Sequence, residues 1–194
     1  MRGQNVAVAC FYFDFATQKE QSPMSTLSSL LKQVVCGLEE IPAKIAEAFR
    51  DQKKVIGGRR LGPREIIEML QDISSSRPTY ICIDAVDECM AEYRVELLDS
   101  LNQILHKSPN TRLFLAGRLQ IREEVEKHFP RRVVAVPIIP TNDDIVRFLR
   151  AELKKDATPD AMEKGLEADI IKKIPESVSK MLVVTKDIER CVKP

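Results

Sequence analysis

The sequence predicts an α/β fold, a parallel sheet with helices packed on both faces. Three observations carry that expectation. Runs rich in β-branched and aromatic residues recur along the chain: VAVACFYFDF at 6–15, TYICID at 79–84, RLFLA at 112–116 and the apolar stretch 133–139. Helical patterns of ten to fifteen residues separate most of them, as βαβ units require. The run at 80–83 is continuously apolar rather than alternating, which suits a strand inside a parallel sheet.

The elements follow in order. After the first strand, residues 23–38 read as a helix, with Leu27, Leu30, Leu31, Val34, Val35 and Leu38 returning at three and four. Residues 42–53 form a second helical stretch, closed by the Gly57 and Gly58 break. Pro63 opens a third helix whose stripe is Ile66, Ile67 and Leu70. A loop at 74–78 leads into the strand at 79–84, followed by a helix at 91–105, the strand at 112–116 and a helix at 121–128. From Thr141 the texture changes. TNDDIVRFLRAELKK has an N-cap candidate, acids in its first turn and basic residues in its last. Residues 166–174 read as another helix, and no strand is expected beyond 141. The division is a core at 1–140 and a helical appendage at 141–194.

The 194 residues suit one domain with a sizeable core and the start of another. A net charge of +1 and the lack of a basic, aromatic-interleaved strip give no reason to expect nucleic acid. No apolar stretch approaches the roughly 20 residues that span a bilayer. Five cysteines, at 10, 36, 82, 89 and 191, form no C-x-x-C pair and no zinc-ligand spacing. This points to a reduced, cytoplasmic setting. Cys10 and Cys82 read as buried small hydrophobes, Cys89 as partly exposed.

The chemistry concentrates in TYICIDAVDE at 79–88. The strand delivers Asp84 at its carboxyl end, where open α/β sheets bind ligands, and Asp87 and Glu88 follow three and four positions on. A P-loop nucleoside triphosphatase presents its acids this way: one aspartate for magnesium, further acids to activate water. Alone, the pattern equally describes a buried strand followed by a helix start, where acids suit the dipole. Arg118, ending RLFLAGR about 30 residues later, favours the first reading, because a strand-end arginine can reach a γ-phosphate. The phosphate cradle G-x-x-x-x-G-K-[ST] occurs nowhere in the sequence. GGRRLG at 57–62 lacks the Lys-Ser/Thr pair and reads as a loop, and His106 and His128 read as solvated helix ends.

Together, VAVACFYFDF, IDAVDEC at 83–89, RLFLAGRLQIREEVEKHF at 112–129 and PTNDDIVRFLRAEL at 140–153 resemble a fungal NACHT domain. That is the STAND class of signal-transducing P-loop ATPases, here its nephrocystin-like group, often joined to ankyrin or WD-type repeats. The resemblance implies a P-loop NTPase-like sheet, ATP and Mg2+ as cofactors, Asp84 on magnesium, Asp87 and Glu88 in support of hydrolysis, and Arg118 as sensor of the nucleotide. It also implies a nucleotide switch that controls assembly.

Departures shape the expectation. In the family the P-loop lies upstream of the FYFDF strand, which here has only about five residues before it. The sensor strand usually ends in a Ser/Thr-Arg-Pro or Thr-Gly-Arg-Pro run, and an apolar helix is expected where LVVTKDIERCVKP stands at 182–194. The expectation is therefore a NACHT-type domain truncated at both ends, with no autonomous ATP hydrolysis. The alternative is a non-catalytic module that pairs with itself or with full-length NACHT repeat proteins. A helicase-like fragment is a weaker third.

Overall fold

The computed structural model describes residues 6–54, 61–130, 133–138, 140–155, 164–177 and 181–185. Five strands and seven α-helices alternate among them: β1 Ala7–Tyr12, α1 Pro23–Cys36, α2 Ala43–Lys54, α3 Pro63–Ser76, β2 Thr79–Asp84, α4 Ala91–Lys107, β3 Thr111–Arg118, α5 Arg122–His128, β4 Val134–Ile138, α6 Asn142–Leu153, α7 Lys164–Ser177 and β5 Met181–Thr185. The sheet order is β1-β2-β3-β5-β4. The α/β class and the parallel sheet are as expected. β1, β2 and β3 run parallel in simple register, Ala7 beside Thr79 and Thr79 beside Thr111.

Local chemistry explains the helix starts. At α1 the Ser22 hydroxyl accepts the Ser25 N–H at 3.2 Å, with Pro23 in the first turn where its missing N–H costs nothing. Gly62 precedes Pro63 at α3, and its N–H donates to Glu65 Oε2 at 2.8 Å. The Thr141 expectation holds: its hydroxyl accepts the Asp144 N–H at 3.2 Å, and the Asp144 carboxylate accepts back from Thr141. These hydrogen bonds hold the Asp144 carboxyl below the usual carboxylate range.

The predicted helical stripes are the core. Leu27, Leu30, Leu31 and Val34 of α1, Ile66 and Leu70 of α3, and Leu97, Leu98 and Leu101 of α4 are buried with Ala9, Ile81, Ile83, Leu113 and Leu115 of the strands. Each fully buried leucine or isoleucine contributes roughly 1.5–3 kcal/mol. The covering of the two sheet faces is unequal. Burial alternates along β2 and β3, with Thr79, Ile81 and Ile83 inside and Tyr80, Cys82 and Asp84 only half-buried. On the same outer face of β1, Val8 is 55% and Tyr12 67% exposed.

The strand β5 corrects the reading that no strand lies beyond residue 141. Its β-branched residues Val183, Val184 and Thr185 favour extended backbone, and the segment joins the sheet beside β3. The described residues fall into two compact units, one within Met1–Val136 plus Leu182–Pro194, the other within Pro137–Met181. In the second unit α6 packs on α7. The expected break at Gly57 and Gly58 lies outside the described residues. No helix among the described residues is long and apolar enough to cross a membrane.

Candidate functional site

The carboxyl end of β2 is built by a reversal that the sequence TYICIDAVDE encodes. Asp84 ends the strand and accepts the Ala85 N–H on Oδ1 at 2.8 Å, while its carbonyl accepts the Phe13 N–H at 3.1 Å. Ala85 then turns the chain with φ 53° and ψ 43°, the left-handed region, at a cost of about 1–2 kcal/mol for a residue with a Cβ. A 3-10 turn, Val86–Glu88, follows and buries Val86 completely.

The three acids have different fates. Among the described residues, the second oxygen of Asp84 takes no hydrogen bond. The Asp87 side chain is only 6% exposed and faces the end of β3: Oδ1 accepts the Arg118 N–H at 3.1 Å, and Oδ2 lies 3.4 Å from Arg118 Nε. Glu88 turns the other way, and its Oε2 accepts the Phe15 N–H at 2.9 Å, tying the turn to the segment after β1. The acids predicted for hydrolysis thus tie the turn to neighbouring segments, and among the described residues Asp84 Oδ2 and Glu88 Oε1 take no hydrogen bond. Arg118 stands at the predicted strand end with its side chain 59% exposed, so its pairing with Asp87 is screened and weak.

The close approach of the turn to β3 depends on Gly117. A Cβ there would sit 2.8 Å from Ile121 Cδ1 and 2.9 Å from Asp87 Oδ1. A methyl there would force the Ile121 side chain or the Asp87 carboxylate, which bonds the Arg118 amide, to move. A cavity of about 270 Å3 opens on the outer face, lined by Tyr12, Cys82, Asp84, Phe114 and their neighbours. A larger one of about 560 Å3, lined by Met24, Leu31, Phe49 and Ile66, touches none of the acids and is not where the chemistry sits.

The matching family spans these same elements. The profile of nephrocystin 3, N-terminal, matches residues 1–118, more than half of the 194. The chain belongs to the nephrocystin 3 N-terminal family. Within the matched region lie β1, the acidic turn and β3 as far as Arg118. Among curated proteins, no sequence matches the chain.

Two features of this nephrocystin 3 N-terminal region escaped sequence reasoning. Arg94, in the first turn of α4, donates from Nη1 to the Cys89 carbonyl at 2.9 Å and from Nε to Glu124 at 2.8 Å, so it clamps the acidic turn to α5. Glu124 is thirty residues away, and nothing local signals the pairing. Cys89, expected to be partly exposed, is 4% exposed, and burial pushes its thiol up to about 11. The Arg94 guanidinium, bonded to the Cys89 carbonyl, lies beside it. Cys10 and Cys82 are only half-buried, because each points to the outer face of its strand. Of the histidines, His128 pairs with Asp99 Oδ1 at 2.9 Å and His106 sits in the last turn of α4.

Among the described residues no group of three or more His, Cys, Asp or Glu is placed to hold a metal ion. Asp84 can supply a single carboxylate oxygen to a Mg2+ that arrives with phosphate and water as its other ligands.

Proposed function

We propose that the chain is a NACHT-type, STAND-class signalling domain that binds a magnesium nucleotide without hydrolysing it autonomously. The observation that carries this reading is the uncommitted Asp84 oxygen at the carboxyl end of a strand inside a parallel sheet, with Arg118 at the end of the next strand. Magnesium, when bound, would neutralise phosphate charge. Asp84 would hold it, and Arg118, loosely held by Asp87, would turn toward the phosphates. Asp87 and Glu88 would support this geometry through the backbone amides they bind. A cytoplasmic, fungal-type repeat protein is the setting this reading implies, with other NACHT repeat proteins as partners.

The test is a melting curve with and without Mg-ADP or Mg-ATP, paired with a phosphate-release assay. A ligand at a hundred times its Kd adds about 2.7 kcal/mol to stability. The reading expects a nucleotide-dependent rise that needs magnesium and vanishes in Asp84→Asn, with phosphate release at background. No rise at millimolar nucleotide would count against it.

A second reading, a non-catalytic interaction module, draws on the apolar outer face, where Val8, Tyr12 and Phe15 are 55%, 67% and 73% exposed. Concentration-dependent self-association, weakened by Tyr12→Ser, would favour it.

A further inference from the structure

Cys10 and Cys82 are cross-strand partners in the register of β1 and β2. Both are half-buried on the outer face, and neither is in a disulfide. Neighbouring strands lie roughly 4.7–4.9 Å apart, inside the Cα separation of about 4.4–6.8 Å that a disulfide spans. Cys82 also lines the cavity beside Tyr12 and Phe114, which gives a small oxidant access. Among the described residues β1 is the end strand of the sheet, so its shift toward β2 drags no other described strand.

We propose that Cys10 and Cys82 form a reversible dithiol–disulfide pair, a redox modification site that takes a low-molecular-weight disulfide such as oxidised glutathione as its oxidant. Cys10, as thiolate, attacks one sulfur of the small disulfide, and the expelled thiolate takes up the proton that Cys10 released. Cys82 then loses its proton and attacks the Cys10 sulfur of the mixed disulfide. The second small thiolate leaves and is protonated. Two protein thiols are oxidised, and one disulfide is reduced to two thiols.

The bridge will be labile. A disulfide prefers Cβ atoms about 3.8 Å apart, closer than neighbouring strands ordinarily hold them. Gln33 resists the inward shift by gripping the Cys10 backbone from the far side, accepting its N–H at 2.9 Å and donating to its carbonyl at 2.7 Å. Strained disulfides are the easily reduced ones.

The experiment equilibrates the full chain in glutathione buffers of graded oxidation, quenches in acid, alkylates the remaining thiols and maps the peptides by mass spectrometry. The expected result is that two of the five thiols disappear together, as a Cys10–Cys82 linked peptide that dithiothreitol restores. Cys10→Ser and Cys82→Ser should each lose that linkage. Glutathione adducts on Cys10 and Cys82 without a link in the wild type, or a link from Cys82 to Cys89, would overturn the proposal. Because the decisive reading is made on the wild type, a folding defect in either serine variant does not blunt it.

Discussion

The two faces of the same three strands have been put to different uses. Inward, Ala7, Ala9, Ile81, Ile83, Leu113 and Leu115 are nearly inaccessible and join the helical core; outward, Val8, Cys10, Tyr12, Tyr80, Cys82 and Asp84 remain exposed or half-exposed. The outer face still has order, since Tyr80 stacks on Phe114 with ring centroids 6.4 Å apart. Stability resides on the inner face. The half-buried thiols lie on the outer face, and the candidate acids at the carboxyl edge where the acidic turn sits.

Substitutions can break or sharpen that contrast. The largest effect belongs to the inner face. Ile81→Ala should cost about 2–5 kcal/mol through lost burial and a cavity, read as a lowered midpoint in urea. Next is the joint between the acidic turn and β3, where Gly117→Ala should cost about 1–3 kcal/mol by forcing a methyl against Asp87 and Ile121. Asp87→Ala should cost a similar roughly 1–3 kcal/mol by leaving the Arg118 amide without its acceptor.

Cys89 gives a pH signature. Its folded thiol stays protonated to about pH 11, above the ordinary cysteine range, so the unfolded chain releases its proton first as pH rises. The stability tied to the neutral thiol is therefore complete below the ordinary range and lost as pH climbs through about 11. The Cys89→Ala variant should lack that part of the alkaline decline. The smallest effects belong outside. Arg118→Ala and Val8→Ala should each shift stability by no more than about 0.5–1 kcal/mol in thermal melts, since both side chains are largely exposed.

Periodicity made the helices legible. The stripes of α1 and α3 and the Thr141 cap are local patterns, and their residues are buried or capped as read, save Val35 and Leu38, which are only partly buried. The apolar run at 80–83 gave the strand but concealed its sidedness, because Tyr80 and Cys82 are apolar yet face outward. β5 was missed because a five-residue apolar segment has no periodicity to separate strand from helix. At the candidate site the sequence located Asp84, Asp87, Glu88 and Arg118 near one sheet edge. It could not say which acid bonds to which amide, since Asp87 with Arg118 and Glu88 with Phe15 are contacts between distant segments.

Isothermal titration of Mg-ADP into the wild type and into Asp84→Asn, with matched circular dichroism spectra, tests the proposed function most directly. Saturable, magnesium-dependent heat in the wild type and none in the variant is the expected result, since Asp84 keeps an uncommitted carboxylate oxygen at the carboxyl end of β2. Equal heats from both proteins, or none from either, would contradict it.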